Sequence, residues 1–156
     1  MNHPFNVLLA EDNEDDAFLL QEAFKRAGVN SPLHVVCDGI EARSYLMRED
    51  PYQDPIAHPM PDLLLLDLNM PRMNGFEVLQ WIRKSDCCNN LIVHVLTASA
   101  RQIDVSLAYE LGANSYIVKP SHLAELVEFV SALHKWHRFT VLPKKPDKKQ
   151  LVTSSP

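Results

Sequence analysis

Cysteine, glycine and long apolar runs are scarce in this chain of 156 residues, and each scarcity excludes a class of protein. There are three cysteines, an odd number, and Cys87 and Cys88 are adjacent, so a disulfide-stapled secreted fold is not expected. No apolar run approaches the roughly 18 residues that a membrane-spanning helix needs. The first residues lack the basic and apolar regions of a signal peptide. We therefore expect a cytoplasmic protein that makes no contact with a membrane.

Positive charge is also limited. The formal net charge of −5 argues against a protein built mainly to coat nucleic acid. Only about 20 residues follow the last predicted helix, too few for a helix-turn-helix domain, so we expect no DNA binding. The length fits one domain at roughly 100–200 residues per domain. Hydrophobic residues make up 46% of the chain, which is enough for a single core.

Short apolar runs alternate with amphipathic runs along the chain. Strands are predicted over residues 5–10, 33–36, 62–68, 91–96 and 116–118, and helices over 13–28, 40–49, 74–85, 103–112 and 123–133. The continuous run of four leucines from residue 63 to 66 is typical of a central strand covered on both faces. Five strand–helix units with short connections predict an α/β fold, a doubly wound five-stranded parallel sheet with helices on both faces.

Two segments fall outside this alternation. Residues 49–61 contain four prolines and predict an ordered but irregular loop. Residues 143–156 are rich in lysine and predict a mobile basic tail. The expected organisation is one domain over residues 1–142, including an extension after the fifth helix, followed by that tail.

Polar side chains lie at the carboxyl ends of four of the five predicted strands. They are Glu11 and Asp12 at the first, Asp67 at the third, Thr97 at the fourth and Lys119 at the fifth. The carboxyl ends of parallel strands meet at one edge of a sheet, so we expect these side chains to share a concavity. Three carboxylates placed together repel one another unless cations lie among them. Oxygen ligands favour magnesium, calcium or manganese over zinc.

Four segments carry these residues, and together they resemble the receiver domains of two-component signalling. They read LLAED over 8–12, LDLNMPRMNG over 66–75, LTAS over 96–99 and YIVKP over 116–120. The resemblance extends from about residue 5 to 134 and is specific because all positions are filled in order. It implies a flavodoxin-like fold with strand order 2-1-3-4-5.

The resemblance also implies a phosphoacceptor site. Asp67 would be the nucleophile that takes a phosphoryl group from a phosphohistidine of a sensor histidine kinase. Asp12, Asp67 and the backbone carbonyl of Asn69 would hold Mg²⁺ directly, and Glu11 would act through water. The protein would not be an enzyme beyond its own phosphorylation and slow dephosphorylation.

The same resemblance implies roles for the residues that follow the last two strands. Lys119 would pair with Asp67 and then with the phosphoryl oxygens. Thr97 would donate a hydrogen bond to a phosphoryl oxygen, and Ala98 would leave room for the group to enter. Tyr116 would be an aromatic switch that turns inward when Thr97 moves.

A narrower similarity is to the single-domain regulators that serve bacterial phytochromes in cyanobacteria. It rests on the proline-rich loop over 49–61 and on the extension WHRFTVLP over 136–143. The implied partner is a phytochrome-like sensor histidine kinase, with output through protein contacts. An alternative role is that of an adaptor in a phosphorelay, passing phosphate to a histidine phosphotransfer protein.

Apolar residues on and beyond the fifth helix exceed what a monomer needs. They are Phe129, Trp136, Phe139, Val141 and Leu142. Trp136 and Phe139 are three residues apart, so a continued helix would present them together. We therefore expect a homodimer through the fourth helix, the fifth strand, the fifth helix and the extension. The alternative is that the extension folds back on its own domain.

Two other functions are possible for the same fold class. A flavin- or nucleotide-binding domain needs a glycine- or hydroxyl-rich loop after the first strand, whereas residues 11–16 read EDNEDD and would repel a phosphate without a metal. A phosphohydrolase with an Asp nucleophile needs a second Asp two residues later as general acid. That position is Asn69, whose amide cannot exchange protons in this way.

Overall fold

The computed structural model describes residues 4–145, which fold around one parallel sheet. The elements are β1 (Val7–Ala10), α1 (Glu14–Arg26), β2 (Leu33–Val36), α2 (Gly39–Leu46), β3 (Leu63–Leu66), α3 (Gly75–Lys84), β4 (Ile92–Thr97), α4 (Gln102–Glu110), β5 (Ser115–Val118) and α5 (Leu123–Phe139). The strand order is β2-β1-β3-β4-β5, and all four neighbouring pairs are parallel. The predicted flavodoxin-like fold and its strand order are confirmed.

Strand β3 lies at the centre of the sheet, between β1 and β4. Each of its four leucines is fully buried. Leu64 and Leu66 belong to the hydrophobic cluster on one side of the sheet, and Leu63 and Leu65 belong to the cluster on the other side. Because successive side chains of a strand point to opposite faces, a strand covered on both faces needs an unbroken apolar run. The leucine run was therefore interpreted correctly.

Helices α1 and α3 each begin at an asparagine cap. The side chain of Asn13 accepts a hydrogen bond from the backbone amide of Asp16 at 3.0 Å and caps α1. At the start of α3, the side chains of Asn74 and Glu77 each accept a bond from the other's backbone amide, at 3.0 Å in both directions. Reciprocal bonds of this kind satisfy amides that a helix leaves unpaired at its beginning.

The helices α1 and α2 end before the predicted positions. Helix α1 stops at Arg26, and the following turn needs Gly28 at φ +72°. Helix α2 begins one residue early, capped by the Asp38 side chain, and stops at Leu46 rather than near residue 49. Arg48 has a φ of +57° in this turn, a conformation that cannot continue a right-handed helix.

Helices α4 and α5 leave apolar residues at the surface. In α4, Ile103 is 70% exposed, Leu107 is also exposed, and Ala108 is buried. Helix α5 continues through Phe139, so the extension begins as helix. Trp136 is half-buried against the ring of His94, with ring centroids 5.3 Å apart, whereas Phe139 is 87% exposed. The prediction that Trp136 and Phe139 form one exposed pair was wrong, because Trp136 packs on its own domain.

The segment after α5 returns toward the beginning of β3. The Lys145 ammonium lies 2.8 Å from the Asp62 carboxylate and donates to the Met60 carbonyl at 2.9 Å. The division into a domain over 1–142 and a basic tail over 143–156 stays a prediction, since residues 146–156 lie outside the described residues. Among residues 4–145, every helix is too short or too polar to cross a bilayer.

Candidate functional site

Three carboxylates converge at the carboxyl ends of β1 and β3. One ligand oxygen each from Glu11, Asp12 and Asp67 lies within 4.8 Å of the others. Backbone pairing continues one residue beyond these strands: the Glu11 amide donates to the Val36 carbonyl at 3.0 Å, and the Asp67 amide donates to the Ala10 carbonyl at 3.1 Å. The sheet itself therefore fixes the positions of Glu11 and Asp67. These two residues are 4% and 6% exposed, whereas Asp12 faces solvent.

Lys119 supplies a positive charge to this cluster. Its ammonium lies 2.6 Å from a Glu11 oxygen, 3.0 Å from an Asp16 oxygen and 3.3 Å from an Asp67 oxygen. The Lys119 amide donates to the Thr97 carbonyl at 2.8 Å, so the end of β4 holds the lysine backbone in place. The predicted meeting of Lys119 with Asp67 is thus present. Asp16 was not among the predicted site residues, and its contact with Lys119 was missed.

The protonation behaviour of the cluster follows from its burial. Burial raises the pKa of Glu11 to about 7, although the hydrogen bond from Lys119 opposes this, and the charge of Asp67 adds to the rise. Burial alone lowers the pKa of Lys119, but its hydrogen bonds to Glu11 and Asp16 outweigh burial and raise the pKa above its ordinary value. The lysine therefore remains an ammonium, and negative charge remains in excess around it.

The donor set fits a hard divalent cation. Glu11, Asp12 and Asp67 carry three negative charges when ionised, and Lys119 carries one positive charge, which leaves −2 for a cation to neutralise. Carboxylate oxygens together with backbone carbonyls and water are the ligands that such cations take in proteins. An exposed member, Asp12, leaves the cluster open to water on one side.

Thr97 and Tyr116 lie beside the carboxylates on β4 and β5. Thr97 is fully buried, and its hydroxyl oxygen has no hydrogen-bond partner among the described residues. The next residue, Ala98, is exposed. The Tyr116 hydroxyl donates to the Ser99 carbonyl at 2.9 Å, which ties the tyrosine ring to the loop that follows Thr97.

The loop from β3 to α3 carries Asn69 and is clamped to the neighbouring β2–α2 loop. Asn69 is exposed, and its amide is 3.5 Å from an Asp67 carboxylate oxygen. Arg72, at φ +64°, donates from Nε to the Asp38 carboxylate at 2.8 Å. Burial tends to raise the pKa of Asp38, but bonds from the Glu41 amide and from Arg72 outweigh it and lower the pKa. The sequence offered no signal for this ion pair, because its partners are 34 residues apart.

Comparison with known proteins identifies the family. Residues 7–131 match the model of the response regulator receiver domain. The response regulator Rcp1 of Synechocystis is 35% identical over 143 residues, which cover 91% of this chain and 95% of Rcp1.

Solved structures agree with this match. The phosphorylated cyanobacterial phytochrome response regulator RcpA is 35% identical with a TM-score of 0.82, over 91% of this chain and all of the other. The response regulator RPA3017 in red light signalling of R. palustris is 35% identical with a TM-score of 0.84, over 90% of this chain and 99% of the other. The chain therefore belongs to the response regulator receiver family and is similar, within it, to phytochrome response regulators.

Proposed function

We propose that this protein accepts a phosphoryl group on Asp67 from a phytochrome-type sensor histidine kinase, in a reaction that depends on Mg²⁺, and that it signals through protein contacts. Acceptance of phosphate on an aspartate is general behaviour of the receiver family. The observation that carries the assignment to Asp67 is its position in the cluster, 3.3 Å from the Lys119 ammonium and within 4.8 Å of the Glu11 and Asp12 oxygens.

In this proposal the metal is held by Asp12, Asp67 and the backbone carbonyl of Asn69, with Glu11 acting through water. The excess negative charge of the cluster supports a divalent cation, and an Mn²⁺-bound structure of the similar protein Rcp1 is known. Bound Mg²⁺ would neutralise charge on the incoming phosphoryl oxygens.

The residues of the chain supply a nucleophile and its positioning. A carboxylate oxygen of Asp67 forms a bond to phosphorus while the phosphorus–nitrogen bond to the kinase histidine breaks, and the electron pair stays on the imidazole. Lys119 is close enough to Asp67 to pair with the phosphoryl oxygens after transfer. Such reactions depend mainly on alignment and charge neutralisation, which a preformed cluster at the end of a rigid sheet can provide.

Thr97 and Tyr116 would connect phosphorylation to the surface. The Thr97 hydroxyl is buried with its hydrogen-bonding capacity unused among the described residues, so a phosphoryl oxygen beside it would be a favourable acceptor. Tyr116 contacts the loop after Thr97 through Ser99. A movement of Thr97 toward phosphate would therefore alter the support of the Tyr116 ring on β5.

The exposed surfaces of α4, β5 and α5 are proposed to form a homodimer. Ile103, Tyr109 and Val118 are 70%, 48% and 46% exposed, and Phe139 is 87% exposed. These residues belong to α4, β5 and α5, which together with the extension after α5 are the elements expected to pair two copies of the chain. Exposed apolar side chains on these elements favour association. We place the protein in the cytoplasm, where a histidine kinase would reach Asp67.

Return of the phosphoryl group to water should be slow. Asn69, two residues after Asp67, offers an amide rather than a carboxyl, so it cannot act as a general acid or base for hydrolysis. This supports a timed signal over a phosphohydrolase. If the protein instead passes its phosphoryl group to a histidine phosphotransfer protein, the group should leave Asp67 rapidly only when that partner is added.

The experiment is intact-mass measurement after incubation with a phosphorylated sensor kinase and, separately, with a small phosphodonor. Wild type should gain one phosphoryl group with Mg²⁺ and none in chelator. Asp67→Asn should gain none while keeping its circular dichroism spectrum. The matched control is Asp86→Asn, which alters an exposed aspartate in the turn after α3 and should behave as wild type. A phosphorylated Asp67→Asn variant would refute the assignment.

A further inference from the structure

Two cysteines lie in contact at the end of the sheet opposite the carboxylate cluster. The Cys87 and Cys88 sulfurs are 3.5 Å apart, and the Ser85 hydroxyl oxygen is 2.9 Å from the Cys87 sulfur. Both cysteines line a cavity of about 240 Å³, which is closed on another side by Leu142 and Lys145 of the extension. Cys87 is half-buried and Cys88 is buried.

The surroundings of the two thiols make them chemically unequal. The hydrogen bond between the two thiols lowers the pKa of Cys87 to about 6, burial opposes this, and the bond with Ser85 assists it. The bond to Cys87 raises the pKa of Cys88, and burial adds to the rise. Cys87 is therefore a thiolate near neutral pH while Cys88 keeps its proton. Thiolates are the nucleophilic form of cysteine.

We propose that Cys87 and Cys88 form a redox-sensitive dithiol that hydroperoxides oxidise to a reversible disulfide. In the first step the Cys87 thiolate attacks the peroxide; a sulfur–oxygen bond forms, the oxygen–oxygen bond breaks, and the leaving alkoxide or hydroxide takes a proton from water. In the second step the Cys88 sulfur attacks the resulting sulfenic acid, and the hydroxyl leaves with the Cys88 proton as water. The dithiol loses two electrons and the peroxide gains them.

Such a disulfide would be easily reversed. The Cα atoms of adjacent residues are about 3.8 Å apart across a trans peptide, which is shorter than the roughly 4.4 Å lower limit of ordinary disulfides. A bond closed under this constraint is strained, and strained disulfides are the readily reduced ones. The pair therefore suits a switch between two oxidation states better than a permanent link, and the neighbouring cavity gives a hydroperoxide room to approach Cys87.

Cys37 provides an internal comparison for the rate at which Cys87 is oxidised. It is exposed, and partial desolvation together with the Glu41 carboxylate raises its pKa above the ordinary value of 9.0. Cys87 carries the larger thiolate fraction at pH 7, because its pKa is lowered and that of Cys37 is raised. The lower nucleophilicity of a low-pKa thiolate offsets part of this advantage. Cys87 should therefore react faster than Cys37.

The test uses the full chain without any phosphodonor, so its outcome is independent of the function of Asp67. Wild type and Cys37→Ser are treated with hydrogen peroxide or an organic hydroperoxide. Intact mass should show the loss of two hydrogens, reversed by dithiothreitol, and peptide mapping should place the link between Cys87 and Cys88. The Cys88→Ala variant should stop at a sulfenic acid that dimedone traps, and Cys87→Ser should retain its free Cys88 thiol.

The result that would overturn the proposal is equal or faster oxidation of Cys37 in wild type. Oxidation of Cys88 in the Cys87→Ser variant at the wild-type rate would overturn it as well. If Cys88→Ala is poorly folded, dimedone trapping in wild type during the first turnover gives the same information. In that measurement, labelling confined to Cys87 supports the proposal, and labelling at Cys37 alone contradicts it.

Discussion

Replacement of Gly75 by alanine should disturb the candidate phosphoacceptor site from a position that carries no functional group. Gly75 is the first residue of α3, and its φ lies outside the left-handed region, so backbone conformation does not demand glycine. A Cβ there would lie 2.3 Å from the Asp67 carbonyl oxygen and 2.7 Å from the Leu68 Cα. Ordinary contact begins at 3.4 Å, so the backbone would have to separate by 3.4 − 2.3, about 1 Å.

Two opposing effects determine the stability of Gly75→Ala. Alanine in a helix is favoured over glycine by up to about 1 kcal/mol. Forcing extra volume into a packed region costs about 1–3 kcal/mol, and this contact falls at the upper end because backbone atoms cannot rotate away. We expect the free energy of unfolding to fall by about 1–2 kcal/mol. The displaced backbone is that of Asp67, and a misplacement of about 1 Å can slow a reaction by roughly 10²-fold.

The assay combines urea unfolding with the rate of phosphorylation by a small phosphodonor. Gly28→Ala is the matched control: a Cβ at Gly28 meets nothing within 4 Å, but its φ of +72° makes alanine cost about 1 kcal/mol or more. Both variants should therefore lose similar stability, and only Gly75→Ala should lose phosphorylation rate. Wild-type phosphorylation together with raised stability in Gly75→Ala would refute this reasoning.

Three further predictions follow from burial and charge. The pKa of Glu11 rises from 4.5 to about 7 on folding, so without metal the free energy of unfolding should fall by an amount on the order of 3 kcal/mol as pH rises from about 4.5 to 7. Urea unfolding at several pH values should show a flatter slope for Glu11→Gln, and a steeper slope in the variant would contradict this prediction. Thr97→Val should leave the free energy of unfolding unchanged or raise it by up to about 1 kcal/mol, because the lost hydroxyl has no partner among the described residues. The same variant should be phosphorylated more slowly, and a large loss of stability would argue against this prediction. Ile103→Asp should weaken the proposed dimer about tenfold or more in sedimentation equilibrium. The control Ile56→Asp, at a residue that is 90% exposed and lies outside the proposed interface, should not weaken it. An equal effect of the two variants would show that the α4 surface is not part of the interface.

Much of the fold could be predicted because it depends on local patterns. The leucine run of β3 and the acidic end of β1 each have one dominant physical interpretation. The parallel order then brings Glu11 and Asp67 together, since strand ends converge whatever the exact helix boundaries. The geometry of the carboxylate cluster was thus accessible from the spacing of polar residues after strands.

The remaining features depend on tertiary placement. Asp16 meets Lys119 across 103 residues, so the contact arises only when the chain is folded. The burial of Trp136 was predicted wrongly. Helical spacing places Trp136 near Phe139, but it does not show that the Trp136 ring packs against His94 and is half-buried there. Sequence periodicity reports which residues share a helix face, whereas burial of that face depends on what packs against it.

The measurement that tests the central claim most directly is chemical trapping of the phosphorylated residue. The protein is phosphorylated with Mg²⁺, reduced with borohydride, which converts an aspartyl phosphate to homoserine, and mapped by peptide mass spectrometry. We expect homoserine at Asp67 and unmodified aspartate at Asp12, the other aspartate of the cluster, and at Asp16, which contacts Lys119. Conversion at Asp12 or Asp16, or a phosphate that resists borohydride and resides on a histidine, would contradict it.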